Sequence, residues 1–201
     1  MSKLRARCPD CRAYTAVALG PGYQCHSCGR EFEAALVRVP RAWGDGGEAM
    51  VEAASLPLPY PEAAVIEADT LPEQTFAIAA ELPDRPLVLG GCCCAHVGGR
   101  KLDPPELEFM AESGIASGAA GVDGALAGTA GVYVAFDADV VDPPELDVFM
   151  PEPDGLRLEQ AESLFRQLAE RAPVLGLGFS GLRYSERNVE PLARLAGALG
   201  L

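Results

Sequence analysis

The sequence predicts an α/β protein in which a mainly parallel sheet lies between two layers of helices, after a small cysteine-rich module. Continuous apolar runs at residues 86–90 and 131–136 are typical of strands buried on both faces, as in a parallel sheet. Segments with apolar residues at helical spacing alternate with these runs, which favours helices on both faces of the sheet. Two C-x-x-C pairs stand close together near the N-terminus.

The length and composition limit the class of protein. A chain of 201 residues with 49% hydrophobic residues fits one ordinary domain with a small appendage. No apolar run reaches the roughly 18 residues of a membrane span, and the first residues lack the apolar core of a secretory signal. We therefore expect a cytoplasmic protein without membrane contact. Because thiols stay reduced there, the seven cysteines indicate metal ligands or reactive groups rather than disulfides.

The net charge of -13 is unevenly distributed. Residues 1–41 hold seven Lys and Arg against three Asp and Glu, so the acidic excess lies in the rest of the chain. An acidic body repels nucleic acid, and the basic N-terminal part is short and has few aromatic residues. Nucleic acid is therefore not an expected partner.

The cysteine-rich module has the spacing of a zinc ribbon. Two tight turns each present two thiolates, and four thiolates complete a tetrahedral shell around zinc. Residues 14–18 and a segment from Tyr23 are predicted as the two strands between the turns. We expect a closed structural zinc site in a ribbon at residues 1–38, followed by the α/β domain at 39–201. The predicted ligands are Cys8, Cys11, Cys25 and Cys28.

The elements of the larger domain follow from apolar runs and capping signals. Thr70 as the cap and Pro72 in the first turn predict a helix that runs to about residue 82. Asp103, Pro104 and Glu106 have the pattern of another helix start. The other predicted elements are strands at residues 64–68, 86–90, 131–136 and 174–178, and helices at 158–171 and 190–199.

Carboxylates follow directly after the strand at residues 131–136. Asp137 and Asp139 are two residues apart, so on an extended strand their side chains would point to the same face. Adjacent carboxylates repel each other unless a cation lies between them, and hard divalent ions accept such oxygens. In open α/β folds, sites lie at the carboxyl ends of strands. The alternative is an acidic turn without a ligand, closed by Asp142 and Pro143.

In its motifs, this part of the chain resembles the arginase/agmatinase (ureohydrolase) family. The resemblance covers most of residues 60–200, in order. It implies an arginase-like three-layer fold and metal-assisted hydrolysis of a carbon–nitrogen bond in a guanidino or amidino compound. The matching stretches are P-L-V-L-G-G at 86–91, G-R-K-L-D-P at 99–104 with Glu106, F-D-A-D-V-V-D-P at 136–143 and M-P-E-P-D-G-L at 150–156.

The chain departs from the family pattern at three places. The family's D-A-H-x-D segment, which supplies most metal ligands, has no counterpart, so we expect a sheet short of at least one strand. Cys93 stands where the family has a metal-binding His, with His96 as a second-choice ligand, while Cys92 and Cys94 are expected to pack as small hydrophobes. Gly181 replaces the Glu that holds the guanidinium group.

Two functions follow from the resemblance and its departures. In the first, Asp137, Asp139 and Cys93 form a degenerate metal site, and the protein is catalytically weak or silent and acts as a binding or assembly module. In the second, they hold one zinc or manganese ion with an open position, and the protein is a metal-dependent hydrolase. The expected partners are a small guanidino or amidino molecule, a protein bound through the zinc ribbon, and a second copy of the chain.

Overall fold

The computed structural model describes residues 5–43, 47–96, 126 and 128–201. The helix predicted to begin at Asp103 lies outside these residues, as does the G-R-K-L-D-P stretch. Two sheets are present in the described part, one of three strands and one of five. None of the described helices has the length and apolar character needed to cross a bilayer.

The small sheet is antiparallel and belongs to the cysteine-rich module. Its strands are β1 (Ala16–Leu19), β2 (Gly22–Cys25) and β3 (Glu31–Phe32), in that order. A turn around Gly20 joins β1 to β2, and its φ of 61° lies in the left-handed region that favours glycine. The predicted return strand is confirmed, because it begins beside Tyr23.

The large sheet is wholly parallel, in the order β5-β4-β6-β8-β7. This confirms the predicted α/β class. Within the described part of the chain, β7 pairs only with β8 and therefore forms one edge of the sheet. Its apolar sequence had indicated burial on both faces, but only Tyr133 and Phe136 of this strand are buried. The strands are β4 (Ala35–Val39), β5 (Glu62–Val65), β6 (Pro86–Gly90), β7 (Val132–Asp137) and β8 (Val174–Ser180).

Helices cover both faces of the sheet and complete three layers. Alternate residues of each strand point to opposite faces, so Phe136 and Phe179 pack against the helices α3 and α4, while Val37 and Val88 face α2. Thr70 accepts a hydrogen bond from the N–H of Glu73 at 3.4 Å and caps α2 as predicted. The helices are α1 (Glu48–Val51), α2 (Leu71–Glu81), α3 (Leu158–Arg171) and α4 (Val189–Ala198).

The cysteine-rich module is docked on the sheet. Arg7 and Glu62 exchange two backbone hydrogen bonds, of 2.6 and 2.8 Å, which places the N-terminal segment along the edge strand β5. The hydroxyl of Tyr23 donates to the carbonyl oxygen of Asp84 at 2.5 Å, and Ala35 of β4 belongs to the apolar cluster of the module. The expected boundary at residue 38 falls inside β4, so we propose that the module ends before Ala35.

Candidate metal centre and the carboxylates at the end of β7

The four predicted ligand cysteines come together between the two turns. Every pair of their sulfur atoms lies within 4.8 Å, with Cys8 Sγ 3.7 Å from Cys28 Sγ and Cys11 Sγ 3.5 Å from Cys25 Sγ. Four sulfurs held by one zinc at about 2.3 Å lie about 3.8 Å apart. The cluster therefore has the dimensions of a tetrahedral thiolate site and fits a small zinc ribbon.

The two turns repeat the same backbone geometry. In the first, the N–H of Arg12 donates to the carbonyl oxygen of Cys8 at 3.0 Å, and in the second the N–H of Gly29 donates to that of Cys25 at 2.7 Å. The residue after each second cysteine has a positive φ, 61° at Arg12 and 77° at Gly29. This conformation is natural for glycine and strained for arginine. The spacing between cysteines therefore predicts both turns, although only the second has the expected glycine.

A hydroxyl group beside the cluster favours thiolate formation. Thr15 Oγ1 lies 3.3 Å from Cys25 Sγ, and its hydrogen bond lowers the pKa of this thiol to about 6 against the opposing effect of burial. At Cys28 a backbone hydrogen bond from Arg30 lowers the pKa, but burial and the neighbouring thiols raise it to about 12. Several thiolates this close repel each other, so full deprotonation requires a cation. Sequence reasoning missed Thr15, because its partner is ten residues away.

The carboxylates of Asp137 and Asp139 converge, but not through strand alternation. Strand β7 ends at Asp137, and Asp139 lies in a 3₁₀ turn, Ala138–Val140, in which its N–H donates to Asp137 Oδ1 at 3.3 Å. The prediction that both side chains point to one face of a strand is therefore wrong, because Asp139 lies outside the strand. Both carboxylates nevertheless approach the same point, at Gly181.

Gly181 closes over the two carboxylates. A Cβ atom at this position would lie 2.3 Å from Asp137 Oδ1 and 2.9 Å from Asp139 Oδ2, and the residue has a φ of 72°. Both observations require glycine. The family that this chain resembles has a glutamate at this position. Here its side chain would clash with the two carboxylates unless they moved. Next to it, Ser180 is fully buried, and its hydroxyl has no hydrogen-bond partner among the described residues.

Asp139 is the more buried of the two carboxylates. Burial raises its pKa to about 6, a hydrogen bond of 2.7 Å from the N–H of Met150 opposes the change, and the charges of Asp137 and Glu152 add to it. The raised pKa means that the charged form is disfavoured by burial, and a cation close to the group would relieve this cost. The convergent carboxylates are therefore suited to a divalent ion, but they offer only two ligand groups.

A buried amide that sequence reasoning missed holds the loop that contacts Asp139. Asn188 is fully buried, accepts a hydrogen bond from the N–H of Asp147 at 2.8 Å and donates to the carbonyl oxygens of Asp147 and Arg183 at 2.9 and 3.2 Å. The N–H of Phe149 donates to the carbonyl oxygen of Gly181 at 2.7 Å. These bonds fix the segment from which Met150 reaches Asp139.

Cys93 stands apart from the carboxylates. It is exposed and begins a 3₁₀ turn, Cys93–His96, after β6. Among the described residues, only the four ribbon cysteines bring three or more possible ligands together, so Cys93 does not join Asp137 and Asp139 in such a group. Cys92 is disulfide-bonded, so its predicted role as a small hydrophobe is wrong. The side chains of Cys94 and His96 lie outside the described part.

Solved structures with a similar fold include arginases and agmatinases. An arginase from Bacillus subtilis has a TM-score of 0.62 and 14% identity over 83% of this chain and 97% of its own. Entamoeba histolytica arginase in complex with L-ornithine has a TM-score of 0.58 and 11% identity over 83% and 98%. The agmatine ureohydrolase of Thermoplasma volcanium has 0.51 and 12% over 83% and 89%.

At this level of identity the likeness concerns the fold alone. No protein-family model matches the sequence, and no curated protein matches it significantly. The chain therefore has an arginase-like α/β fold with a four-cysteine module that fits a zinc ribbon.

Proposed function

We propose that this protein is a catalytically weak or silent relative of the ureohydrolases, in which the arginase-like body and the zinc ribbon serve as a binding or assembly module. One observation carries the proposal. In the part of the chain that the structure describes, the carboxylates Asp137 and Asp139 have no third metal-ligating group beside them. Two ligands bind a divalent ion weakly, and activation of a water needs a firmly held metal.

The position of Gly181 supports the same proposal. A side chain that pairs with a substrate cation has no room there, because the space of its Cβ is taken by the two carboxylates. The zinc of the ribbon is proposed as purely structural. Four thiolates at tetrahedral spacing fill its shell and leave no position for water or substrate.

A metal-dependent hydrolase of a carbon–nitrogen bond is the second candidate. It is favoured by the raised pKa of Asp139 beside Asp137, since a cation between the two groups would relieve the cost of both charges. In this function Asp137 and Asp139 would hold the ion, and Cys93, which lies outside their group among the described residues, would have to approach them as the proposed third ligand. A bound divalent ion would polarise the substrate and lower the pKa of a water molecule.

Metal content of the purified full-length protein separates the two functions. Inductively coupled plasma mass spectrometry should find one zinc per chain, lost when Cys11 is replaced by serine and kept when Asp137 is replaced by alanine. A second equivalent of zinc or manganese that disappears in the Asp137→Ala variant would instead support the hydrolase. Replacement of Cys93 by serine then tests whether this thiol is a ligand, because only a ligand change alters the second equivalent.

A further inference from the structure

The turn after β6 carries an oxidised sulfur atom next to a reduced one. Cys92 is disulfide-bonded and partly exposed, whereas the adjacent Cys93 is exposed and has a free thiol. The four ribbon cysteines are free as well, and they need deprotonated, reduced sulfurs to bind zinc. Disulfides that occur where other thiols stay reduced are usually transient bonds with a catalytic or redox-sensing role. The bond at Cys92 therefore has the setting of a redox-active disulfide.

The remaining cysteine of the chain is the candidate partner of Cys92. Five of the seven cysteines in the sequence have free thiols, which leaves Cys94, whose side chain lies outside the described part. The N–H of Ala95 donates to the carbonyl oxygen of Cys92 at 3.0 Å, so the backbone of residues 92–95 forms a single turn. In such turns Cα atoms two residues apart are separated by about 5 Å, within the roughly 4.4–6.8 Å that a disulfide spans.

A bond across one intervening residue adds little to the stability of the fold. The chain entropy that a disulfide removes from the unfolded state grows with the length of the loop that the bond closes, and this loop is very short. The strand before it is held independently, because β6 pairs with β4 on one side and with β8 on the other. Reduction of the bond should therefore leave the sheet intact.

A backbone donor is directed at the sulfur atom of Cys92. The N–H of Trp43 donates a hydrogen bond to Cys92 Sγ at 3.5 Å. When an external thiolate attacks the partner sulfur, the S–S bond breaks and its electron pair goes to Cys92, whose negative charge this N–H stabilises. A second external thiolate then displaces the protein sulfur from the mixed disulfide. In balance, two electrons and two protons pass from the two external thiols to the protein, and the external thiols leave as a disulfide.

We propose that Cys92 and Cys94 form a reversible disulfide at the carboxyl end of β6, which small thiols such as glutathione reduce and their disulfides form again. Trp43 links this bond to the interior, because its indole N–H donates at 2.9 Å to Oε1 of the buried Gln74 of α2. A change at Cys92 is therefore transmitted to the segment after β4. The proposal does not depend on the proposed function of the carboxylates at the end of β7.

The single tryptophan makes the full-length, zinc-loaded protein its own probe. As the ratio of reduced to oxidised glutathione increases, the emission of Trp43 should change in one transition that reverses on reoxidation. Iodoacetamide labelling in denaturant, followed by mass mapping, should find one labelled cysteine among residues 92–94 before reduction and three after it. A bond that persists at every glutathione ratio, or three labelled cysteines before reduction, would overturn the proposal.

Two serine variants locate the response. Cys92→Ser removes the bond and should abolish both the emission change and the dependence of labelling on glutathione. Cys93→Ser keeps the pair and removes only the exposed free thiol, so both responses should remain. Circular dichroism checks the folding of each variant, and Cys94→Ser removes the same bond if Cys92→Ser does not fold. A response that persists in Cys92→Ser, or that disappears in folded Cys93→Ser, would contradict the assigned pair.

Discussion

Gly181 and Asp137 meet so closely that a Cβ atom on the glycine would lie 2.3 Å from the carboxylate oxygen Oδ1. Both residues lie at the carboxyl ends of adjacent parallel strands, where β8 and β7 finish together. The contact decides where the two carboxylates stand and which residue can follow β8. Because a larger residue cannot follow β8 here, the contact also supports the proposed loss of an acidic residue that would bind the substrate at position 181.

Replacement of Gly181 by alanine should destabilise the protein by about 1–3 kcal/mol, because a positive φ and an overpacked contact act together. Urea unfolding followed by circular dichroism measures the change. The matched control is Gly197→Ala in α4, where a Cβ atom meets nothing within 4 Å. This control should be neutral or stabilising by up to about 1 kcal/mol, as for glycine in a helix. Equal effects of the two substitutions would contradict the steric role of Gly181.

Asn188 should carry a large share of the stability of the loop beside Asp139. Asn188→Ala removes a donor and an acceptor and leaves the N–H of Asp147 without its partner, whereas the carbonyl oxygen of Asp147 keeps the hydrogen bond from the N–H of Arg183, so we expect a loss of about 1–3 kcal/mol in urea unfolding. Asn188→Asp keeps the acceptor but turns a carboxylate oxygen toward the carbonyl oxygens of Asp147 and Arg183 and buries a charge, so it should lose at least as much stability near neutral pH. If both variants are as stable as the parent protein, the three hydrogen bonds do not hold the loop.

Removal of the ribbon metal should weaken the body as well as the module. The module shares backbone hydrogen bonds with β5 through Arg7, and the Tyr23 hydroxyl binds the segment before β6. Cys11→Ser should therefore lower the thermal unfolding temperature and increase hydrogen exchange of residues 62–65. Cys93→Ser, which changes an exposed thiol outside the ribbon, is the control and should leave both unchanged. Unaltered exchange in β5 of the Cys11→Ser variant would show that the module folds independently.

The sequence predicted the elements whose signals are local. The helix α2 begins after the cap Thr70, β6 occupies the predicted residues 86–90, and α3 spans the predicted 158–171, because caps, prolines and apolar spacing act within a few residues. The tetrahedral cysteine cluster was predictable for a similar reason. Two short motifs fix its ligands, and the turn geometry follows from their spacing.

Prediction from the sequence failed where contacts between distant segments determine the geometry. Asp139 leaves the strand in a 3₁₀ turn and meets Asp137 at Gly181, some forty residues later, so strand alternation gave the correct neighbours for a wrong reason. Asn188 has no local pattern, because its partners are loop backbone atoms. The edge position of β7 depends on pairing, which an apolar run does not indicate.

The raised pKa of Asp139 predicts an unusual pH dependence. Because burial raises it from 3.8 to about 6, the folded state binds more protons than the unfolded state between these pH values. The contribution of Asp139 is therefore fully present below pH 4 and is lost as the pH rises through 6. Asp139→Asn should remove this decline. The measurement is the difference in unfolding free energy between parent and variant at pH 4, 5, 6 and 7, with the exposed Asp154→Asn as control. A difference independent of pH would refute it.

With manganese or zinc supplied, the purified protein should release no measurable urea from arginine or agmatine. Among the residues that the structure describes, Asp137 and Asp139 have no third ligand beside them, and two carboxylates would hold a metal weakly, because a full shell and the groups that orient its ligands give most of the affinity. With Gly181 closing over them, a substrate cation would compete with the metal for the same two carboxylates. A coupled urea assay with an active arginase as reference provides the measurement.

One result would reverse this conclusion. Turnover above the metal-only background that vanishes in Asp139→Asn would mean that further residues complete the metal shell. Glu152, whose charge already reaches Asp139, is the first to replace. Glutamine at this position keeps the size of the side chain and removes its charge. Loss of turnover in that variant, with the zinc of the four cysteines retained, would identify Glu152 as a working part of a hydrolase rather than a solvated neighbour of a silent site.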